Sequence, residues 1–188
     1  MSRFSECLRH VLAYEGGYAN HPADRGRATM RGVTQATFDA YNAAQGHPLR
    51  HVQSITDAEV TAIYHADFWA RCACDGLPPP LDLVVFDAAV QHGAARAVRW
   101  LQAEVGEAMD GQCGPKTLYA VRQYALRDGL QPLVDACIDR RRAFYAQIVA
   151  NDPTQRVFAR GWARRVNELV DVIEAAPRDA GFQKEELL

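Results

Sequence analysis

The chain of 188 residues contains no apolar run long enough to span a membrane, so we expect no membrane insertion. Its first ten residues, MSRFSECLRH, also lack the apolar segment of a signal peptide, which predicts synthesis in the cytoplasm and export by another route. A strong excess of one charge is missing too. The formal net charge of −2 gives no reason to expect nucleic acid as a partner.

Recognisable metal-binding patterns are absent from the sequence. Cys72 and Cys74 are separated by a single residue, no CxxC pair exists, and the six histidines form no HExxH motif. We therefore predict no metal site and no cofactor. The five cysteines cannot all pair within one chain, and we expect buried free thiols, with one disulfide after export as the alternative.

The sequence does contain enough apolar residues, 48%, for a sizeable core. Residues 4–12 carry apolar side chains at helical spacing after Ser2, the predicted N-cap. Thr56 and Glu59 form a capping box before another helix, and LDLVVFDAAVQHG is typical of a buried helix. We predict a mainly α-helical, α+β fold: a helical bundle with a small irregular hairpin within residues 18–33, near Glu15.

Glu15 occurs in the stretch LAYEGGY, where paired glycines mark a helix stop and place this acid in the last helical turn. The carbonyl end of a helix disfavours negative charge, and nearby Tyr14 and Tyr18 remove water. We therefore expect Glu15 to retain its proton more readily than an ordinary glutamate, as a general acid must. The alternative is a solvated glutamate beside a helix end.

Further polar groups follow Glu15 in a glycine-containing loop. Asp24 comes nine residues later, and Thr29 and Thr34 come after it. A glycosidase needs one acid to protonate the leaving oxygen and a second polar group to stabilise cationic character or orient water. We expect the loop to keep Asp24 solvated and ionised, so the two carboxyl groups suit different roles.

Several blocks of the sequence together resemble glycoside hydrolase family 108, a family of bacterial and phage N-acetylmuramidases with a lysozyme-like fold. YEGGY and PADRGRATMRGVTQATFDAY resemble its N-terminal signature, and ITDAEVTAIYHADFW and CDGLPPPLDLVVFDAAVQHG resemble its next blocks. AVRWLQAEVGEAMDGQCGPKTL resembles its attached peptidoglycan-binding region. The resemblance covers about residues 4–150. It predicts a lysozyme-like catalytic region at 1–93, a helical peptidoglycan-binding-like region packed on it at 94–176, and a charged tail at 177–188.

The resemblance implies that Glu15 is the catalytic acid, because the Glu of E-G-G-Y matches directly. The order of Glu, Asp and Thr also resembles the phage lysozymes, which makes Asp24 and either Thr29 or Thr34 candidates for the second group. Three residues depart from the family pattern and alter the polarity of the sugar subsites: Arg25, Arg27 and Met30.

Four further side chains are candidates for sugar binding. Tyr18 and Tyr41 lie near the Glu15 loop in sequence and are predicted stacking residues. Asp87 and Gln91 lie on the buried-looking helix. A buried carboxylate is costly unless it is paired, so capping a loop or pairing with an arginine is the alternative to a sugar-lining role for Asp87.

We predict a peptidoglycan hydrolase that cleaves the β-1,4 bond between N-acetylmuramic acid and N-acetylglucosamine. A lytic transglycosylase and a catalytically weak peptidoglycan-binding module are the alternatives. We expect a monomer that acts in the periplasm or cell wall, either as a phage-type endolysin released through holin pores or as a type VI secretion effector with an immunity protein. Arg156, Arg160 and Arg164 share one helical stripe, which is either a solvated face or a surface for an anionic polymer.

Overall fold

The computed structural model describes residues 2–20 and 28–175, which form a mainly helical protein with one small sheet. This confirms the predicted fold class. No helix in these residues is long and apolar enough to cross a membrane. The α-helices are α1 Arg3–Leu12, α2 Gln35–Ala44, α3 Asp57–Tyr64, α4 Leu81–His92, α5 Ala94–Val105, α6 Pro115–Asp128, α7 Leu130–Asn151 and α8 Arg156–Ala175. A π-helix, His65–Trp69, continues α3, and short 3-10 helices cover Val52–Ser54, Cys74–Gly76 and Pro153–Gln155.

Contacts divide the chain into two compact units, Met1–Asp67 and Phe68–Leu188. The boundary falls inside the π-helix rather than at the predicted boundary between residues 93 and 94. The assignment of a catalytic region to 1–93 and a wall-binding region to 94–176 stays a prediction.

The first unit contains α1, α2, α3 and a three-stranded antiparallel sheet. Its strands are β1 Tyr18–Ala19, β2 Thr29–Met30 and β3 Val33–Thr34, paired in the order β1-β2-β3. This sheet lies where the hairpin was predicted. Ser2 caps α1 as expected, because its hydroxyl oxygen accepts the N–H of Ser5 at 3.3 Å.

The turn between β2 and β3 contains only Arg31 and Gly32, because Met30 pairs with Val33. Both turn residues have positive φ, 51° and 77°, the pattern of a two-residue type I′ hairpin turn. Glycine adopts this conformation at little cost. For Arg31 the left-handed backbone costs roughly 1–2 kcal/mol, so the surrounding structure must hold the turn in place.

Helix α4 is the most deeply buried element of the second unit. Every residue from Leu81 to Ala89 is buried, and α4 lies against α5 and α7. This confirms that the nearly continuous apolar segment is a buried helix rather than a strand. The same helix carries Asp87, whose carboxyl group is 0% exposed, so its charge needs partners from neighbouring helices.

A buried glutamine fixes the turn between α5 and α6. Gln102 is 1% exposed, and its Nε2 donates to Asp110 Oδ1 at 2.7 Å, to Gln112 O at 3.1 Å and to Thr117 Oγ1 at 3.2 Å. Its Oε1 accepts the N–H of Gly111 at 2.9 Å. This network satisfies the buried amide and explains how the DGQCGP segment forms a fixed turn before Pro115.

The five cysteines are thiols in this structure, and four of them are buried. Burial raises the pKa of Cys137 to about 12, and it also raises the pKa of the half-buried Cys113 to about 12. Both groups therefore stay protonated at neutral pH, the form expected of structural rather than reactive cysteines.

Candidate active site

Glu15 lies just beyond the first helix, not in its last turn as the sequence analysis expected. Helix α1 ends at Leu12, and the N–H of Glu15 donates to Leu12 O at 3.2 Å in the turn that follows. The helix therefore ends three residues before Glu15, although the paired glycines Gly16 and Gly17 come after it. Glu15 is half-buried, so its carboxyl group combines a fixed backbone position with access to solvent.

The Arg31–Gly32 turn of the sheet lies against the Glu15 carboxyl group. A Cβ atom on Gly32 would come 2.8 Å from Glu15 Oε2 and 3.1 Å from Glu15 Cδ, and it would come closer still to the hydroxyl group of Tyr64. Only glycine fits here without displacing a neighbour. The turn therefore brings its backbone, Glu15 and Tyr64 together.

The first and last residues of helix α3 both contact this turn. At the first residue of α3, Asp57 forms an ion pair with the guanidinium group of Arg31. At the last residue, the hydroxyl group of Tyr64, whose side chain is 1% exposed, donates to Arg31 O at 2.9 Å. The hydrogen bond from the buried Tyr64 is the main restraint on the left-handed backbone of Arg31, and the ion pair, with Asp57 85% exposed, adds a weaker one.

The candidates for the second catalytic group have different positions. Asp24 lies outside the residues that the structure describes, as do Arg25 and Arg27. Thr29 and Thr34 face each other across β2 and β3. Thr34 Oγ1 accepts the N–H of Thr37 at 3.2 Å and thereby caps α2, whereas Thr29 is a half-buried residue of β2.

The two tyrosines predicted to stack on sugars lie on different elements. Tyr18, on β1, is 39% exposed, and its ring centre is 5.8 Å from that of His51. Tyr41, on α2, is half-buried. His51 is one of the residues that line a surface groove of about 520 Å³ together with Asn20, Ala28, Gln35, Asp39, Leu49 and Arg50.

Gln35 shapes this groove by joining α2 to residues 50–52. Its Nε2 donates to Arg50 O at 2.8 Å, and its Oε1 accepts the N–H of Val52 at 2.7 Å. Residues 47–54 carry no sequence motif that indicates a function or a groove.

The second unit contains the other two predicted sugar-binding residues, Asp87 and Gln91. Asp87 accepts Arg141 Nη1 at 2.6 Å and Arg165 Nη2 at 2.8 Å. This is the arginine-pairing alternative rather than a sugar-lining role, because the fully buried carboxylate has no surface to offer a ligand. Burial raises the pKa of Asp87, but the charges of Arg141 and Arg165 outweigh burial and hold this pKa below its usual range.

Gln91, one helical turn beyond Asp87, is exposed. Its Oε1 accepts Arg141 Nη2 at 2.6 Å and the hydroxyl group of Tyr145 at 2.5 Å. Sequence reasoning missed both of these partners and Arg165, because they lie more than forty residues away along the chain.

Comparison with known proteins adds to this geometry. The family model described as glycosyl hydrolase 108 matches residues 8–93, and the model described as a predicted peptidoglycan domain matches residues 96–167. The solved structure of Brucella abortus SagA is similar over 94% of this chain and 97% of its own, at 35% sequence identity and a TM-score of 0.77. The chain belongs to glycosyl hydrolase family 108. None of the curated proteins matches it.

Membership of glycosyl hydrolase family 108 confirms the resemblance seen in the sequence. This family 108 enzyme is a glycoside hydrolase that acts on peptidoglycan, and the match at 96–167 supports peptidoglycan as its binding partner. Within residues 2–20 and 28–175, no three His, Cys, Asp or Glu side chains are grouped to hold a metal ion. The Glu15 site instead presents a carboxyl group beside a rigid turn, which is an arrangement suited to protonating a glycosidic oxygen.

Proposed function

We propose that this family 108 enzyme is an N-acetylmuramidase in which Glu15 is the general acid. The observation that supports this role is the position of Glu15, half-buried against the Arg31–Gly32 turn that α3 holds at both ends. The turn restrains the carboxyl group on the Gly32 side, and Glu15 keeps part of its surface exposed to solvent. Orientation of this kind is a large part of catalysis by a positioned acid.

In the proposed reaction, Glu15 gives its proton to the oxygen of the β-1,4 bond as that oxygen separates from C1 of N-acetylmuramic acid. Positive charge then develops on C1 and the ring oxygen. A second polar group orients a water molecule, which adds to C1 and releases a proton to solvent. Glu15 regains a proton from solvent, so the enzyme returns to its starting state. The products are a new N-acetylglucosamine hydroxyl and a reducing N-acetylmuramic acid.

We propose Asp24 and Thr29 for that second group. Thr34 is less suited to the role, because its hydroxyl oxygen already accepts the N–H of Thr37 and lies 2.9 Å from the hydroxyl oxygen of Thr37. Changing Asp24→Asn should lower the rate of lysis without lowering wall binding, since a group that acts in the transition state adds little to ground-state affinity. Normal lysis by Asp24→Asn together with loss in Thr29→Ala would assign the role to Thr29.

The products of digestion test this proposal. Purified peptidoglycan should yield fragments that end in reducing N-acetylmuramic acid, identified by mass spectrometry after borohydride reduction. Glu15→Gln should keep the circular dichroism of the wild type and lose at least about a hundredfold of the rate. Anhydro sugars would identify a lytic transglycosylase instead, reducing N-acetylglucosamine would reverse the bond specificity, and lysis at the wild-type rate by Glu15→Gln would remove the acid from its role.

We propose that the enzyme acts on the wall from the periplasm, after holin release in a phage or after injection by a secretion system. The match to a predicted peptidoglycan domain at residues 96–167 supports action at the wall by either route. A holin gene beside its own gene would favour an endolysin. A neighbouring gene whose product binds the enzyme and blocks lysis would favour an effector with an immunity protein. Size-exclusion chromatography with light scattering tests the expected monomer.

A further inference from the structure

Gln91 is an exposed side chain that is connected to a buried ion pair. Arg141, which is 2% exposed, joins the two: its Nη1 donates to Asp87 Oδ2 at 2.6 Å, and its Nη2 donates to Gln91 Oε1 at 2.6 Å. Arg165 binds the other oxygen of Asp87, so two guanidinium groups share this one carboxylate. The position of the Arg141 guanidinium group is therefore set by buried charge, and Gln91 is held at its outer edge.

Tyr145 provides a second donor to the same atom of Gln91. Its hydroxyl group donates to Gln91 Oε1 at 2.5 Å, while the hydroxyl oxygen accepts Arg141 Nε at 3.2 Å. His92 Nε2 lies 3.1 Å from that oxygen and must act as a donor, because the tyrosine proton is already directed to Gln91. Burial, with the nearby charge of Arg141, lowers the pKa of His92 to about 4, so the ring is neutral at pH 7.

These contacts fix which end of the Gln91 amide points to which partner. Arginine can only donate, so the atom that Arg141 and Tyr145 share must be the amide oxygen. The amide nitrogen, with two N–H groups, is the remaining end. Within the described part of the chain, no hydrogen bond from Gln91 Nε2 to the protein is present. An exposed side chain of this kind would ordinarily rotate freely, but here the ion pair holds it.

We propose that Gln91 binds the acetamido group of an amino sugar by donating its amide N–H groups to the acetamido carbonyl oxygen. This inference rests on the proposed function, because the sugars of peptidoglycan carry acetamido groups. A neutral donor fits a neutral carbonyl. The guanidinium group of Arg141, which would suit a carboxylate, is already bound by Asp87.

The surroundings of Gln91 fit the methyl group of the same ligand. The half-buried ring of His92, the next residue, lies 5.1 Å from the ring of Trp100 and 5.3 Å from that of Phe144. Both of these rings are also half-buried, and the Arg96 guanidinium group lies 4.7 Å from the centre of the Phe144 ring. The remaining ring surface is the apolar part of this cluster, which Tyr145 joins to Gln91 through its hydrogen bonds to Gln91 and His92. A fixed donor next to apolar surface loses little entropy on binding, which is how preorganised sites gain affinity.

Gln91→Glu separates this role from folding. The glutamate has the same length, and its carboxylate can still accept from Arg141 and Tyr145, so thermal stability should stay at or above that of the wild type. It cannot donate. Gln123→Glu, at an exposed position on α6, makes the same chemical change elsewhere and serves as the matched control.

Calorimetric titration with two trimers measures the effect: tri-N-acetylchitotriose, which carries acetamido groups, and the corresponding glucosamine trimer, which carries amines. The wild type and Gln123→Glu should prefer the acetylated trimer. Gln91→Glu should bind it about tenfold more weakly, the scale of one good hydrogen bond, and should bind the amine trimer more tightly. No binding of the acetylated trimer by the wild type, or equal binding by Gln91→Glu, would overturn the inference.

Tyr145→Phe tests the orienting network. The phenylalanine ring can still stack on Trp162, whose ring centre is 4.8 Å from that of Tyr145, but one donor to Gln91 is lost. Binding of the acetylated trimer should weaken severalfold with the circular dichroism unchanged, and unchanged binding would show that the network does not orient Gln91. Digestion of peptidoglycan by the wild type is independent of these titrations. If digestion releases reducing N-acetylmuramic acid but Gln91→Glu binds the acetylated trimer as the wild type does, only this inference fails. If digestion does not release reducing N-acetylmuramic acid, the proposed function fails, whatever the titrations show.

Discussion

The carboxyl group of Glu15 lies so close to Gly32 that a Cβ atom on this glycine would come 2.8 Å from Glu15 Oε2. The two residues belong to different elements of the chain: Glu15 follows α1, and Gly32 lies in the turn between β2 and β3. Their approach makes the turn a wall for the acid. The consequences for catalysis and stability can be measured separately.

Gly32→Ala should reduce lysis by about a hundredfold if Glu15 is the proposed acid, because moving a catalytic group by about 1 Å can cost that much. It should also lower the free energy of unfolding by about 1 kcal/mol, since alanine resists the positive φ. Gly46→Ala is the control: Gly46 has a similar φ of 70°, and a Cβ there meets nothing within 4 Å. Equal losses of activity in the two variants would show that crowding of Glu15 is unimportant.

Tyr64→Phe should lower kcat by about ten- to a hundredfold with KM nearly unchanged, because the Arg31–Gly32 turn loses a hydrogen bond and positions Glu15 less well. The free energy of unfolding should fall by about 1 kcal/mol. Tyr119→Phe, at a position 65% exposed, is the matched control. The split between kcat and KM distinguishes positioning from substrate binding, circular dichroism checks the fold, and a wild-type kcat would contradict the role.

Asp87→Asn should lower the free energy of unfolding by about 3–5 kcal/mol at pH 7, because two buried guanidinium groups lose their counter-charge. The pKa of Asp87 is lower in the folded protein than its usual value of 3.8. Its contribution to stability is thus complete above about pH 4 and is lost as the pH falls through the folded pKa. Denaturant titrations of both proteins should show their difference shrinking below about pH 4; a difference that is constant with pH would contradict the assignment.

The stripe Arg156, Arg160 and Arg164 lies on one exposed face of α8, with Arg164 3.5 Å from Glu168. In the Glu15→Gln background, changing all three to Gln should reduce pelleting with insoluble peptidoglycan at low ionic strength, because stem carboxylates lose their partners. Salt should weaken the binding of the unchanged stripe. The exposed arginines Arg71, Arg99 and Arg122, changed together, make the same change in net charge elsewhere. Equal pelleting by both triple variants would identify a plain solvated face.

Several helices could be predicted from the local sequence, because caps and apolar spacing act within a few residues. Ser2 before α1, the Thr56–Glu59 capping box and the buried segment at α4 all formed as predicted. Glu15 was identified by its position next to paired glycines and by the family resemblance. The same local rules put Glu15 inside the last turn of α1, whereas the helix ends at Leu12, because a glycine pair does not mark the exact residue at which a helix ends.

The helices, the small sheet and the family could be predicted from the sequence, since these depend on periodicity, turn residues and matching blocks. The surroundings of Glu15, Asp87 and Gln91 could not be predicted in the same way, because they depend on packing between distant segments. Gly32 and Tyr64 meet Glu15 through strand pairing and helix packing, and Asp87 finds Arg141 and Arg165, 54 and 78 residues away. Helical spacing predicts that a residue is buried but not which partner it meets. The charge of Asp87 and the orientation of Gln91 were therefore settled by the packing of α4, α7 and α8.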